Sequence, residues 1–165
     1  MALTVETGAG VENADSYVDL TEFRAFATNR GLTLPVADND CEILLRKALD
    51  YVETHSNQFK GTKLYGQGYL QWPRSEVLVD GFEIGLDEIP FQLKNAQMQA
   101  AFEVQTVDPM ATISTPAIRS EQVDVIKTEY AIPLGSERNP PVVMPKVDAF
   151  LAPLLRFIGV KIVRA

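Results

Sequence analysis

The sequence predicts a mainly α-helical fold, a bundle of about four helices with a β-hairpin or long loop and extended N- and C-terminal segments. Apolar residues recur at helical spacing in four stretches, and each stretch opens with a capping, acidic or proline signal. Between these stretches lie one glycine-rich segment and one segment rich in Val, Ile, Thr and Tyr. A chain of 165 residues suits one domain, so we predict a single domain over residues 1–165.

The first two helices have the clearest signals. Asp19-Leu20-Thr21-Glu22 has the spacing of a capping box, which predicts a helix from Asp19 to Asn29 that Gly31 stops. Asp38-Asn39-Asp40 supplies the acidic start of a second helix that ends near Ser56. The apolar stripe of this second helix predicts its core face: Leu44, Leu45, Ala48, Leu49 and Val52.

Prolines mark the other two helices. Ile89-Pro90 opens the third, which Asp108-Pro109 closes. The fourth has Pro145 in its first turn and an apolar stripe that continues to Ile158. Pro153 lies inside this last pattern, so we expect it to kink or shorten the helix.

Four further segments complete the predicted domain. Residues 1–18 form an N-terminal arm, and residues 57–88 form a long loop that contains five glycines and Trp72-Pro73-Arg74. Residues 117–132 form a strand or hairpin. Residues 160–165 have strand composition without an adjacent hairpin partner. An unpaired strand offers its edge to another chain, so we predict docking by both ends of the chain.

Composition excludes several classes of function. The formal net charge of -7 works against general nucleic-acid binding, which needs a surplus of Lys and Arg on the contacting face. No apolar run approaches the roughly 20 residues that cross a bilayer, so we expect a soluble protein. The single cysteine, Cys41, cannot form a disulfide within the chain.

No catalytic constellation is visible. His55, the only histidine, falls at the predicted end of the second helix, where its charge suits the helix dipole. Cys41 is surrounded by acidic residues that oppose a reactive thiolate. Asp38-Asn39-Asp40 lacks the pattern of a calcium loop and is explained by helix capping. We therefore expect no enzyme activity, no metal and no cofactor.

The long loop carries the strongest alternative signal, an interleaving of aromatic and basic residues. Such residues can stack on bases and contact phosphates, which is typical of single-stranded DNA binding. The candidates are Lys60, Lys63, Tyr65, Tyr69, Trp72 and Arg74. The competing interpretation, which the acidic composition favours, is that Trp72 and the tyrosines fold back to form a small core under the loop.

Several short motifs occur in an order and spacing that resemble one family over nearly the whole chain. They are Met1-Ala2-Leu3-Thr4-Val5-Glu6-Thr7-Gly8, Asn13-Ala14-Asp15-Ser16-Tyr17-Val18, Leu45-Arg46-Lys47-Ala48-Leu49-Asp50-Tyr51-Val52, Gln71-Trp72-Pro73-Arg74-Ser75, Val79-Asp80-Gly81, Ile89-Pro90 and Lys127-Thr128-Glu129-Tyr130. The family is that of tailed-phage head-to-tail connector proteins, also called adaptor or head-completion proteins. Some of its members are labelled DnaT-like single-stranded DNA-binding proteins. One departure is Val123-Asp124-Val125-Ile126, where we would expect a hairpin glycine.

The resemblance implies a structural virion protein made in the host cytoplasm and located in the neck at the capsid vertex. It would form a homo-oligomeric ring, typically dodecameric, that binds the portal protein and tail, stopper or tail-completion proteins. DNA would pass through the ring without specific binding. We expect portal or subunit docking by the two terminal segments: Leu3, Thr4, Val5, Val160, Lys161, Ile162, Val163, Arg164 and Ala165. The alternative is a replication-associated single-stranded DNA-binding module.

Overall fold

Four α-helices are the longest regular elements in the part described by the computed structural model, which covers residues 3–107, 120–123, 126–129 and 143–156. The mainly α-helical prediction is confirmed. The helices are α1 (Leu20–Asn29), α2 (Asp38–Glu53), α3 (Phe91–Glu103) and α4 (Pro145–Leu151). None of the described helices is long and apolar enough to cross a membrane.

Helix α1 begins at the predicted capping box. The Asp19 carboxylate accepts a hydrogen bond from the Glu22 amide at 2.8 Å, and the Glu22 carboxylate accepts one from the Asp19 amide at 3.3 Å. The helix ends at Asn29, and Gly31 follows with a φ of 65°. Glycine adopts this left-handed conformation without the steric cost that other residues pay, which explains the position of the helix end.

Helix α4 is shorter than its apolar pattern suggests. The α-helical bonds stop at Leu151, and a 3₁₀ turn over Ala152–Leu154 contains Pro153. The predicted continuation of the helix toward Ile158 is wrong at Leu155, because Leu155 is extended and forms an antiparallel bridge with Phe59. Ile158 itself lies outside the described residues. Proline lacks the amide hydrogen that the next helical turn requires, so the helix ends as Pro153 predicted.

Helix α3 lies at the centre of the core, between α2 and α4. Its residues from Ala96 to Ala101 are all buried, and the alanines among them allow neighbouring helices to approach closely. The other two helices contribute the larger apolar side chains to this core. Those that are fully buried are Leu45 and Val52 from α2 and Val147 and Leu151 from α4.

The N-terminal segment is paired within the chain. Val5 forms a parallel bridge with Ser16, and the Glu6 amide donates a hydrogen bond to the Ser16 carbonyl at 2.8 Å. The prediction that this arm lacks a partner is therefore wrong. The turn that follows Val5 in this segment is stabilised by the buried Glu6 carboxylate. This carboxylate accepts hydrogen bonds from the amides of Gly8, Gly10 and Val11 at 2.7 to 3.1 Å.

Three antiparallel two-stranded pairs complete the described part. Two lie in the long loop: β1 (Thr62–Lys63) with β2 (Arg74–Ser75), and β3 (Leu78–Val79) with β4 (Phe82–Glu83). The third pairs β5 (Ser120–Val123) with β6 (Ile126–Glu129), which confirms a hairpin within 117–132. Asp124 and Val125, in the segment without the expected glycine, lie outside the described residues, as does the predicted docking tail at 160–165.

A buried glutamine joins three parts of this fold. The Gln97 side-chain oxygen accepts a hydrogen bond from the Tyr17 amide at 2.9 Å. Its amide nitrogen donates to the Ser16 hydroxyl and to the Leu45 carbonyl, both at 3.0 Å. Because these partners belong to the N-terminal segment and to α2, the contacts of one α3 side chain fix both against the central helix.

We expect Gln97→Met to lower the free energy of unfolding by about 2 kcal/mol, because methionine fills similar space but leaves the buried Tyr17 amide without an acceptor. Urea unfolding followed by circular dichroism measures the change. The matched control is Gln92→Met on the same helix, where we expect a change within about 0.5 kcal/mol. Equal losses in both variants would contradict the role given to the Gln97 hydrogen bonds.

Candidate functional site

Trp72, the central aromatic residue of the long loop, lies in the core. Its side chain is 0% exposed and packs edge-to-face against Phe59, with ring centroids 5.9 Å apart. The prediction that Trp72 belongs to a base-stacking platform is wrong, because a base has no access to a fully buried ring. The competing prediction is confirmed in one respect, since Trp72 folds back into the interior, but it joins the main core and not a separate small core under the loop.

Arg74 is buried as well, with 6% of the residue exposed. Its guanidinium donates hydrogen bonds to the carbonyls of Lys60 at 2.7 Å, Gly61 at 3.1 Å and Gln71 at 3.3 Å. Burial, followed by the charge of nearby Arg156, lowers the pKa of Arg74. The predicted phosphate contact is wrong for Arg74, because its buried guanidinium donates its hydrogen bonds to backbone carbonyls at the two ends of the loop segment from Lys60 to Gln71.

The two candidate lysines also bind backbone carbonyls. The Lys60 ammonium donates to the carbonyls of Pro153 at 2.7 Å and Leu78 at 3.2 Å. The Lys63 ammonium donates to the Tyr69 carbonyl at 2.7 Å. These bonds connect segments of the loop to one another and, through Pro153, to the end of α4. In this structure, both ammonium groups therefore form hydrogen bonds within the chain that stabilise the loop.

Tyr65 and Tyr69 are the candidates that the structure leaves near the surface. Their rings stack with centroids 5.2 Å apart and planes 27° from parallel. Tyr65 is exposed, and its hydroxyl donates to the Ala9 carbonyl at 3.3 Å. Among the six candidate residues of the loop, only this aromatic pair therefore lies where a base or another planar group has access.

A buried tyrosine that the sequence did not single out holds the loop to the helices. The Tyr17 hydroxyl donates to the Glu53 carboxylate at 2.6 Å and accepts a hydrogen bond from the Trp72 amide at 3.2 Å. The Gln71 amide donates to the same Glu53 oxygen at 3.4 Å. Burial raises the pKa of both Tyr17 and Glu53, and for Glu53 the hydrogen bond from Tyr17 acts in the opposite direction.

A family model described as "Putative DnaT-like ssDNA binding protein" matches residues 1–165. The chain belongs to this family. No curated protein and no solved structure matches it. The family description names a binding function and no catalytic reaction, so this DnaT-like family is not defined by an enzyme activity.

His55 and Cys41, the other side chains of this DnaT-like protein that were considered for catalysis, have structural surroundings. His55 Nε2 lies 3.6 Å from Asp148 Oδ1, which also accepts a hydrogen bond from the Tyr51 hydroxyl at 2.9 Å. This contact attaches α4 to the end of α2. Cys41 is buried, and burial raises the pKa of its thiol. Within the described part of the chain, no group of three or more His, Cys, Asp or Glu residues is arranged to hold a metal ion.

The predicted docking residues at the N-terminus lie against their own chain. Leu3 is half-buried against the core, and the Thr4 carbonyl accepts a hydrogen bond from the Asp15 amide at 2.8 Å. Val5 is held by its bridge with Ser16. Docking by these residues stays a prediction, as does docking by 160–165, which lies outside the described residues.

Several large apolar side chains are exposed. The most exposed are Val36 at 95% and Phe82 at 80%, and a second group is more than half exposed: Leu78, Leu86, Phe91 and Val143. Single exposed apolar residues are ordinary in monomeric proteins, but Leu78, Phe82 and Leu86 lie within nine residues of chain. Leu78 pairs with Glu83 and Phe82 pairs with Val79, so Leu78 and Phe82 lie on opposite faces of this hairpin and do not form one contiguous patch.

The raised pKa of Glu53 predicts a pH dependence of stability. The folded state holds the Glu53 proton more tightly than the unfolded state, whose pKa is near the ordinary value of 4.5. The unfolded state therefore loses this proton first, and the contribution of Glu53 to stability falls as pH rises from 4.5 through the folded pKa. We expect Glu53→Gln to remove this fall, because glutamine stays neutral and keeps an oxygen for the Tyr17 hydroxyl.

Urea unfolding of both proteins from pH 4 to pH 8 measures this difference. We expect the stability of Glu53→Gln relative to the unmodified protein to increase across this range. Glu12→Gln, which changes an exposed carboxylate, controls for the loss of one negative charge. Parallel stability curves for the unmodified protein and Glu53→Gln would show that burial of Glu53 does not produce the effect.

Proposed function

We propose that this protein is a structural head-to-tail connector, a subunit of a ring that docks on the portal and links the capsid to the tail around the DNA channel. Copies of the chain form the ring, with tail or stopper proteins on the opposite side from the portal. The proposal is supported by the resemblance of motifs distributed over the chain and by the surface chemistry of the described residues.

The observation that carries the proposal is the burial of Trp72 and Arg74. The loop that most resembled a nucleic-acid platform uses its tryptophan and its arginine to attach itself to the helices. What this DnaT-like protein presents instead is an acidic surface with exposed apolar side chains, among them Val36 and Phe91. Protein partners bury such side chains, whereas single-stranded DNA requires exposed cations and aromatic faces.

The net charge of -7 agrees with a channel protein that does not hold its DNA. Negative charge on the protein repels the phosphate backbone at short range, and salt screens this repulsion beyond roughly 10 Å. A ring of acidic subunits therefore allows a duplex to pass without a bound state that slows it. In this proposal the DNA passes through the ring without being bound, and the ring binds the portal and tail proteins.

Single-stranded DNA binding is the second candidate, favoured by the family description and by the accessible pair Tyr65 and Tyr69. Two stacked tyrosines offer one aromatic face to a base, and Lys63 lies beside them through its bond to the Tyr69 carbonyl. This site is smaller than the predicted platform, because Trp72 and Arg74 are absent from it. Its expected affinity is correspondingly weak.

The connector proposal predicts loss of portal binding when the chain is truncated after Gly159. The truncated protein should keep the circular dichroism spectrum of the full chain, while native mass spectrometry with the portal of the same phage should detect no complex. The matched control carries residues 160–165 in scrambled order, which keeps length and composition. Portal binding by the truncated protein would exclude the tail as the docking segment, and no binding by the full chain would count against the connector function.

The DNA-binding alternative predicts that a labelled single-stranded oligonucleotide gains anisotropy on titration at low salt, and that added salt reverses the gain. Replacement of both Tyr65 and Tyr69 by alanine should weaken the binding about tenfold or more, since stacking contributes roughly 1–3 kcal/mol per base. Phe91→Ala, an exposed aromatic residue on α3, is the control. No anisotropy change at low salt would leave the connector as the sole candidate.

A further inference from the structure

Residues 64–71, here called the loop tip, lie at the surface and pack loosely. Residues 64–68 are all exposed. An added Cβ at Gly66 would meet nothing within 4 Å, and at Gly68 the nearest atoms would be side-chain atoms 3.8 Å away. Because so little of the tip is packed, its position depends on a small number of hydrogen bonds.

Two of these hydrogen bonds join the tip to the N-terminal segment. The Asn13 amide donates to the Gly68 carbonyl at 2.8 Å, and the Tyr65 hydroxyl donates to the Ala9 carbonyl at 3.3 Å. The second distance exceeds the usual range for a strong bond of this kind. The N-terminal segment therefore holds the tip mainly through one backbone hydrogen bond.

The attachment of the tip to the helices is made by Glu53, the last residue of α2. Its half-buried carboxylate accepts hydrogen bonds from the Tyr17 hydroxyl at 2.6 Å and from the Gln71 amide at 3.4 Å, both on one oxygen. It forms no salt bridge within the part of the chain that the structure describes, and the cations whose charge acts on it are Lys63 and Arg74. A shielded carboxylate without an ion pair is costly to ionise.

The base of the loop is fixed more firmly than the tip. Trp72 is fully buried against Phe59, and the Arg74 guanidinium donates to the carbonyls of Lys60 at 2.7 Å and Gly61 at 3.1 Å. Strands β1 and β2 also pair with each other at this base. The tip can therefore detach while the base and the helices keep their contacts.

Detachment of the tip changes the surroundings of Glu53. In the closed state, burial raises the pKa of Glu53, and the Tyr17 hydroxyl, the Gln71 amide and the charges of Lys63 and Arg74 oppose this shift. When the tip leaves, water reaches the end of α2 and the carboxylate ionises near its ordinary pKa of 4.5. The proton is therefore held more tightly in the closed state, and the free energy of opening falls as pH rises from 4.5 through the closed-state pKa.

We propose that the loop tip is a latch controlled by Glu53: the protonated carboxylate keeps residues 64–71 closed against α2, and its ionisation favours opening of the tip while the helices stay folded. The proposal goes beyond the connector function and depends on neither candidate function. Opening separates Tyr65 from Ala9, so the stacked pair Tyr65 and Tyr69 moves away from the N-terminal segment. The device thus regulates the accessibility of the surface that this pair forms.

Amide hydrogen exchange of the full chain, measured by NMR between pH 4.5 and pH 7.5, tests the latch. Dividing the intrinsic rate of each amide by its measured rate gives its protection factor, which falls as opening becomes more frequent. The Asn13 and Gln71 amides report on the tip, and the Ala100 amide, buried in α3, reports on global unfolding. We expect protection at Asn13 and Gln71 to be about a hundredfold lower than at Ala100. It should decrease with pH by at most about tenfold per pH unit, the limit for release of one proton.

Three variants separate the role of Glu53 from other causes. Glu53→Gln should make protection at Asn13 and Gln71 independent of pH, because glutamine stays neutral and keeps an oxygen for both donors. Glu12→Gln is the matched control, since its exposed side chain lies beside Gly68, and it should keep the pH dependence. Gly68→Ala should lower protection about fivefold at every pH, because alanine is strained at the φ of 83°.

Two results would overturn the proposal. Equal protection at Asn13, Gln71 and Ala100 would show that the tip opens only when the whole protein unfolds. The same pH dependence in Glu53→Gln and in the unmodified protein would show that another group controls the tip. The response of Gly68→Ala verifies that the measurement detects tip opening in either case.

Discussion

A buried tyrosine must find hydrogen-bond partners for its hydroxyl and its backbone, and Tyr17 finds them on three separate parts of the chain. Its amide donates to Gln97 on α3, and its hydroxyl donates to Glu53 on α2. The same hydroxyl accepts the Trp72 amide from the long loop. Loss of any one partner leaves a polar group buried without compensation, which costs about 1–3 kcal/mol. The N-terminal segment, two helices and the loop are therefore stabilised together.

The helices were predictable from the sequence because their signals are local. The capping box at Asp19 and Glu22 needs only residues three positions apart, and Pro153 acts on its own helix. The loop and the N-terminal segment were not predictable in the same way. Tyr17 and Glu53 are 36 residues apart, and Gln97 is 80 residues from Tyr17. No spacing rule connects such positions, so the buried polar contacts and the pairing of Val5 with Ser16 appear only in the folded chain.

The candidate site could not be predicted from the sequence either, because its residue types fit two different structures. Aromatic and basic residues alternate in the loop, and this pattern suits both a binding platform and a small core. The choice depends on where the backbone carbonyls lie. Arg74 finds three of them within hydrogen-bond distance, and Lys60 finds two more. Once these cations bind backbone carbonyls, the N–H groups that make the bonds are not available to a phosphate. Membership of the DnaT-like family does not change this arrangement.

The position of Trp72 makes it an internal optical probe of loop attachment. It is the only tryptophan of the chain, it is fully buried against Phe59, and its indole nitrogen has no hydrogen-bond partner among the described residues. An indole in such an apolar site emits at short wavelength, and contact with water moves the emission to the red. A red shift that precedes loss of the helical circular dichroism signal would identify local detachment of the loop as a step separate from global unfolding.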